Sequence, residues 1–232
     1  TLQVFASIYQ YDYDGYQDEL QQFDPIRGAG ANFVSNADGI TNTGFEIELY
    51  YAATDRLTLS GNFSYTETEY GEDYFVFTVD DPINPVPVFG TFTQGFVSAQ
   101  VTDPSQASDY TVNLKGGPLK GIPEEKATIR VSYEQDTRFG PLYYLLSHSY
   151  TGDFSASGIQ RPLDRIDSRE TTNLNISWYS QDGNLSLRAY VDNLFDNDNY
   201  YALSTGDHET NYRKSVTALP PRVMGLDIRY RF

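Results

Sequence analysis

The sequence predicts an all-β chain, an antiparallel transmembrane β-barrel whose strands are joined alternately by short turns and long loops. Three observations carry this reading. Segments of about ten residues alternate apolar and polar side chains with the period of two that sends successive strand residues to opposite faces. Aromatic residues make up 15% of the 232 residues, with 20 Tyr and 14 Phe, and they gather near strand ends. The last eleven residues, Arg222 to Phe232, put Met224, Leu226, Ile228, Tyr230 and Phe232 on one face and Gly225, Asp227, Arg229 and Arg231 on the other. Ten steps of about 3.3 Å, tilted by roughly 40°, make that oily strip on the order of 25 Å tall, the height of the lipid-facing band of a barrel strand.

Along the chain the same alternation recurs. Thr1 to Tyr13 sets Leu2, Val4, Ala6 and Ile8 against Gln3, Phe5, Ser7, Tyr9 and Tyr11. Residues 14–43 show Pro25, several Gly, Asp and Asn, and no sustained period, and read as a long loop. Gly44 to Ala53 then places Phe45, Ile47, Leu49 and Tyr51 opposite Glu46 and Glu48, and Thr54-Asp55-Arg56 is the only break before Leu57 to Tyr70, which predicts a tight hairpin. In the latter strand Thr58, Ser60, Asn62, Ser64 and Thr66 form a short, polar row suited to lining a wide lumen. Residues 71–124 hold six prolines and form the longest loop. Lys126 to Glu134 and Leu142 to Gly152 are strands joined by a turn over 135–141, although Tyr143 and Leu145 blur the parity of the second. After a loop over about 153–170, Leu174, Ile176 and Trp178 face away from Asn173, Asn175 and Ser177. Gln181 to Asn184 turns, Leu185 to Asp192 is a strand, and residues 196–221 form the last loop before the terminal strand.

Eight strands result. Those leading into short turns end in Tyr51, Tyr133 and Trp178, joined by Tyr230 and Phe232. Those leading into long loops carry Tyr11, Tyr65 and Tyr150. Two aromatic belts are what two membrane interfaces select, because Tyr and Trp combine an oily body with a polar tip. A soluble sandwich has no reason to sort its aromatics this way. Short turns then face the periplasm and long loops the exterior.

Composition narrows the function classes. Asp and Glu number 32 against 16 Lys and Arg, a net charge of −16, which argues against a nucleic-acid partner. The mean hydropathy is −0.50 and no run of 18 apolar residues occurs, so no membrane helix is predicted. A barrel gives only a weak signal on that scale. Without cysteine there is no disulfide framework and no thiolate metal site. No nucleophile elbow, phosphate loop or Cys nucleophile appears, so neither an enzyme nor a cofactor is predicted.

Asp192-Asn193-Leu194-Phe195-Asp196 with Tyr200 and Tyr201, Leu219-Pro220-Pro221-Arg222 and the terminal Phe232 resemble the ending of TonB-dependent outer-membrane receptors. The hairpin from Asn42 to Thr66 is similar to the barrel repeats of that family. The resemblance implies that the chain is the C-terminal part of a 22-stranded barrel in the bacterial outer membrane, with a plug and further strands preceding Thr1. The whole receptor would then take up a scarce extracellular ligand (a metal chelate, vitamin, carbohydrate or peptide) with energy from the TonB complex, contacted through the missing N-terminal region. The barrel assembly machinery is implied as a partner, and a lipoprotein or surface subunit is a further candidate. Two other readings stand beside it: a small standalone barrel with a structural or adhesive role, which holds if the first and last strands pair, and a soluble carbohydrate-binding β module.

Candidate ligand contacts are the aromatics of the longest loop, Tyr74, Phe75, Phe77, Phe89, Phe92 and Phe96, interleaved with Asp80 and Asp81. The plainer reading is that these rings pack the loop onto itself or onto neighbouring loops. An acidic, aromatic mouth suits sugars, peptides or cationic complexes better than anionic chelates. Met224, Leu226, Ile228, Tyr230 and Phe232 are the candidate assembly signal, and Phe232 serves equally as an interface anchor. Glu46 and Glu48 could serve acid/base work or metal binding but read as lumen-facing polar residues. Residues 196–199 lack the Gly and distal Glu of a calcium loop. The two histidines, His148 and His208, lack the partners of a zinc site.

Overall fold

The computed structural model of the chain describes residues 1–24, 29–77, 111–205 and 213–232. Sixteen strands occur among them. In chain order they are β1 (Leu2–Tyr13), β2 (Tyr16–Asp24), β3 (Ala29–Ala37), β4 (Ile40–Ala52), β5 (Leu57–Tyr70), β6 (Phe75–Phe77), β7 (Thr111–Asn113) and β8 (Glu125–Gln135). There follow β9 (Leu142–Thr151), β10 (Phe154–Ser155), β11 (Arg165–Ile166), β12 (Arg169–Tyr179), β13 (Leu185–Asp192), β14 (Tyr200–Thr205), β15 (Lys214–Ala218) and β16 (Val223–Tyr230). Eight of them form one antiparallel sheet in the order β1-β4-β5-β8-β9-β12-β13-β16, and the others are paired extensions of the loops. The outermost strands β1 and β16 do not pair with each other, so the sheet is open rather than closed on itself.

Register decides which side chains share a face. Leu2, Val4, Ala6 and Ile8 of β1 stand opposite Tyr51, Leu49, Ile47 and Phe45 of β4. That row continues through Leu59, Gly61, Phe63 and Tyr65 of β5 and Val131, Ile129 and Ala127 of β8. It passes on to Leu146 and Tyr144 of β9, Leu174 and Ile176 of β12, Val191 and Ala189 of β13, and Met224 and Leu226 of β16. One face is therefore apolar across all eight strands.

The opposite face carries Glu46 and Glu48, Ser60, Asn62 and Ser64, Thr128 and Arg130, Ser147 and Ser149, Asn173 and Asn175, Arg188, and Asp227. Tyr143 and Leu145 lie on this polar side, opposite Glu134 and Ser132, which settles the parity of β9. Tyr11 also lies here, opposite Asn42, in a ladder of rings from Tyr9 through Tyr13 with centroids 5.4 and 6.1 Å apart. It is not part of a belt on the apolar face; the pairing with β4 fixes the phase of β1, and Tyr11 falls on the Gln3 side.

Two glycines on the polar face make room for tyrosines. A Cβ on Gly44 would collide with the Tyr65 carbonyl and meet the Tyr9 hydroxyl at 2.6 Å, and one on Gly225 would meet the Tyr190 ring at 2.5 Å. The Tyr9 hydroxyl reaches Thr66 Oγ1 at 2.8 Å, so a ring laid across a glycine also has its polar tip bonded.

At the turn end the connections are stitched sideways. Ala52 donates to the Thr1 carbonyl, Glu134 to Arg56 and Arg231 to Asn184, each at 2.9 Å. Arg56 also pairs with Asp136 across the first two turns. Asp182 is held below the usual carboxylate range by hydrogen bonds from Ser180 and Asn184, which tie the third turn. The terminal strand ends at Tyr230, with Phe232 two residues beyond it and its ring edge-on to Tyr230 at 5.0 Å.

The long loops are more ordered near the sheet than the sequence suggests. The stretch over 14–43 is largely a hairpin, β2 on β3, with β4 already begun at Ile40. Polar residues stand on both parities of β2 (Gln17, Asp18, Glu19, Gln21 and Gln22), so there is no face contrast to read, yet the backbone still pairs.

Candidate functional site

The described chain keeps its packed core at the loop end of the sheet, not between the sheet's faces. Ala37, Ile40, Tyr70, Leu114 and Leu119 are buried against one another, with Tyr16, Tyr74, Val112, Ile122 and Ile159 around them. Ile40 and Tyr70 are directly paired, so the first residue of β4 and the last of β5 carry the cluster.

A polar clamp runs through this core. The Tyr70 hydroxyl donates to Asp18 Oδ2 at 2.8 Å, and Lys120 Nζ lies 2.9 Å from Asp18 Oδ1, so one buried carboxylate joins the β2–β3 hairpin, β5 and the segment after β7. Lys120 also donates to the Glu19 carbonyl. Leu119 N donates to the buried Thr68 hydroxyl at 3.0 Å. Tyr74 stacks on Tyr70 with centroids 5.4 Å apart and planes 11° apart, and its hydroxyl pairs with Ser35. Burial raises the Tyr74 hydroxyl above the ordinary tyrosine range. Asp73, by contrast, is held below the usual carboxylate range by the Asn113 side chain and then by Lys115.

A second clamp binds the later loops. Asp164, in a one-turn helix over Pro162–Asp164, is buried; Arg161 Nε lies 2.5 Å from its Oδ2 and Thr205 donates to its Oδ1 at 2.7 Å. Lys214 donates to the Leu163 carbonyl at 2.6 Å, so the β14–β15 hairpin is held at both strands. The turn after β13 is built on Asn193, in the left-handed region at φ 51°, whose amide donates to the carbonyls of Asn197 and Pro220 at 2.8 and 2.9 Å. Asp196 accepts from Arg222 N at 2.8 Å. The Asn193, Asp196, Asn197 and Asn199 side chains of this turn all bond backbone groups. His148 lies on the apolar face at its loop end, Nδ1 2.9 Å from the Thr172 hydroxyl and Nε2 3.6 Å from Glu170.

Two cavities open among these loops. One, of about 580 Å³, is lined by Thr68, Leu119, Ile122, Glu125, Phe154 and Arg161 among others. The other, of about 610 Å³, lies at the top of the polar face between Lys126, Thr151, Phe154, Arg169 and Tyr201.

Of the sequence-predicted ligand contacts, Tyr74 is half-buried in the loop core, while Phe75 and Phe77 form β6, paired to β7. Asp80, Asp81, Phe89, Phe92 and Phe96 lie outside the described residues, as does His208. Met224, Leu226, Ile228 and Tyr230 share the apolar face of β16 and are all exposed, as is Phe232 beyond it. Sequence reasoning did not single out Asp18, Tyr70, Lys120, Lys126 or Arg169. For the last two a signal existed: each is a cation of polar-face parity at the loop end of a strand.

A continuous apolar face, a polar opposite face, aromatics at both strand ends and loops docked at one end define the wall of an outer-membrane β-barrel. The sequence matches the family described as "TonB dependent receptor-like, beta-barrel" over residues 1–194, and the chain belongs to that family. It is accordingly an outer-membrane protein of Gram-negative type, in a family of receptors and transporters rather than enzymes. Its fold is similar to that of the siderophore receptor PiuA from Acinetobacter baumannii (TM-score 0.65, 14% identity, covering 99% of this chain and 26% of that one). It is also similar to the ferric yersiniabactin uptake receptor FyuA from Yersinia pestis (TM-score 0.61, 18% identity, 86% and 25%). The ferric citrate transporter FecA gives a TM-score of 0.62 at 16% identity, covering 100% and 29%. At such identities the likeness is one of fold. The chain thus spans about a quarter of the length of these structures. No curated protein matches the sequence.

Proposed function

We propose that this chain is part of the wall and mouth of an outer-membrane active transporter, which binds a scarce extracellular ligand and imports it with energy supplied through TonB. The observation that carries the reading is the division of one open eight-stranded sheet into an apolar face and a polar face. In lipid, the free backbone groups along β1 and β16 need further strands, because no water is there to satisfy them. A short, polar inner face, Ser60, Asn62 and Ser64 beside Thr128, suits a wide lumen better than the packed interior of an eight-stranded barrel. The standalone-barrel reading fits this arrangement less well. The relatives named for siderophores and ferric citrate make ferric chelates the first ligands to test. Assembly through Phe232 and association with a surface lipoprotein are further expectations of this reading.

The test uses the full-length receptor as the only route for iron chelates in its host, in strains with and without TonB, and a version lacking residues 74–96. Across a panel of ferric siderophores and ferric citrate, uptake of at least one chelate should require the receptor and TonB and should fall when the loop is removed. Uptake indifferent to TonB refutes the energy coupling, and uptake and affinity unchanged by the deletion refute the loop's role.

A further inference from the structure

We propose that the 610 Å³ cavity at the top of the polar face is an oxyanion site, in which Lys126 and Arg169 together hold a carboxylate or phosphate group of the incoming ligand. This rests on the receptor reading and supplies the ligand's chemistry.

The placement follows from strand register. Thr151 of β9 is paired with Lys126 of β8 on one side and with Arg169 of β12 on the other, so the three residues lie in a single row on the polar face. Two strand spacings of about 4.8 Å put the two cationic residues about 10 Å apart at the backbone. Long, flexible side chains span that gap onto one anion, and the guanidinium offers a fork matched to two oxygens.

The cations are uncommitted. Arg56, Arg161, Arg165 and Arg222 each pair with an aspartate. Lys126 makes no side-chain hydrogen bond or ion pair among the described residues. Among those residues Arg169 makes none either: its Nη1 is buried without a hydrogen-bond partner, and its guanidinium carbon lies 5.7 Å from the Phe154 ring. In a chain with twice as many acidic as basic residues, this cavity is lined by two cations and no carboxylate, the reverse of the overall balance. A buried N–H left unbonded is costly, and an oxyanion in the cavity satisfies it. Phe154, Ile166, Tyr201 and Leu203 supply an apolar rim, which fits an anionic group attached to a larger organic body. The row is on the face opposite the lipid, so the anion comes from the aqueous side and not from a lipid head group.

This assignment reverses the expectation from overall charge. The net charge of −16 favours cationic or neutral ligands only if charge is spread evenly, and here it is not.

The experiment titrates the full-length receptor in detergent with citrate and with inorganic phosphate by calorimetry, using sorbitol as a neutral control. Wild type, K126Q, R169Q, the double variant and R165Q are compared, with heat-modifiable gel migration checking that each barrel is folded. Citrate should bind wild type and R165Q alike, weaken by about tenfold in each single variant and further in the double, and lose affinity as salt rises. Excess lipopolysaccharide should not compete. Binding of neither anion, binding unchanged in the exposed-site variant K126Q, or displacement by lipopolysaccharide overturns the assignment. If the double variant binds citrate with unchanged affinity, the oxyanion site falls while the receptor reading stands. If wild type takes up no chelate in the strain-based uptake test, the receptor reading itself fails.

Discussion

Replacing Leu146 with Arg separates a lipid-embedded wall from a soluble sheet more sharply than any change in the loops. Leu146 sits at the middle of β9, flanked by Val131 and Leu174 on the apolar face, and is 39% exposed in the isolated chain. If that face meets hydrocarbon, Arg at this depth costs about 2–4 kcal/mol, or roughly 30- to 1,000-fold in the folding equilibrium. If it meets water, Arg at so exposed a position changes stability by no more than about 0.5 kcal/mol. Ser149 lies three residues away on the polar face, between Thr128 and Thr171, and is the matched control. S149R should stay within about 1 kcal/mol of wild type because its charge reaches the lumen. The assay is folding of the full-length receptor into lipid vesicles across a denaturant series, read by gel migration. An L146R variant that folds like wild type, or an S149R variant more damaging than L146R, would refute the assignment of faces.

Three further outcomes follow from the geometry. Lys120→Met leaves the buried Asp18 carboxylate with only the Tyr70 hydroxyl among the described residues, and should loosen the loop core by about 2 kcal/mol; hydrogen exchange should quicken over 16–19 and 112–122 while the sheet is unchanged, and equal protection in both proteins would contradict the clamp. Asp73 is depressed by Asn113 and Lys115, so its contribution is present above the unfolded carboxylate value and is lost as pH falls through the lower folded one. Exchange at 112–115 should therefore rise below about pH 4 in wild type, and Asp73→Asn should abolish that dependence. Deleting Phe232 removes the edge-on partner of Tyr230 and should lower the amount of receptor assembled in the outer membrane; normal assembly would leave the residue without a signalling or anchoring role.

The eight wall strands were legible because their two faces meet different surroundings. Phe45, Ile47 and Leu49 against Glu46 and Glu48 is a contrast that local sequence carries by itself. What depends on pairing was not legible. Tyr11 follows its strand's polar parity, and only the register with Asn42 excludes it from the apolar face. The β2–β3 hairpin has polar residues on both parities, so its strands exist through backbone bonds that leave no alternation. Asp18, Tyr70 and Lys120 are brought together across about a hundred residues, and no short-range pattern foretells them. The oxyanion site lay between: Lys126 and Arg169 each had a readable face and height, but Thr151 had to be placed between them before they formed a pair.

If one face of this sheet lies in lipid and the other in a water-filled lumen, the two parities of β9 meet different surroundings. The 232 residues contain no cysteine, so single cysteines can be placed in turn from Leu142 to Thr151 and spin-labelled without background from this segment. Collision rates with oxygen, which concentrates in lipid, and with a water-soluble nickel complex would then be measured in reconstituted full-length receptor. Oxygen access should peak at 142, 144, 146 and 148 and nickel access at 143, 145, 147 and 149, in strict opposition. Uniform nickel access along β9, or the opposite phase, would contradict this assignment of faces.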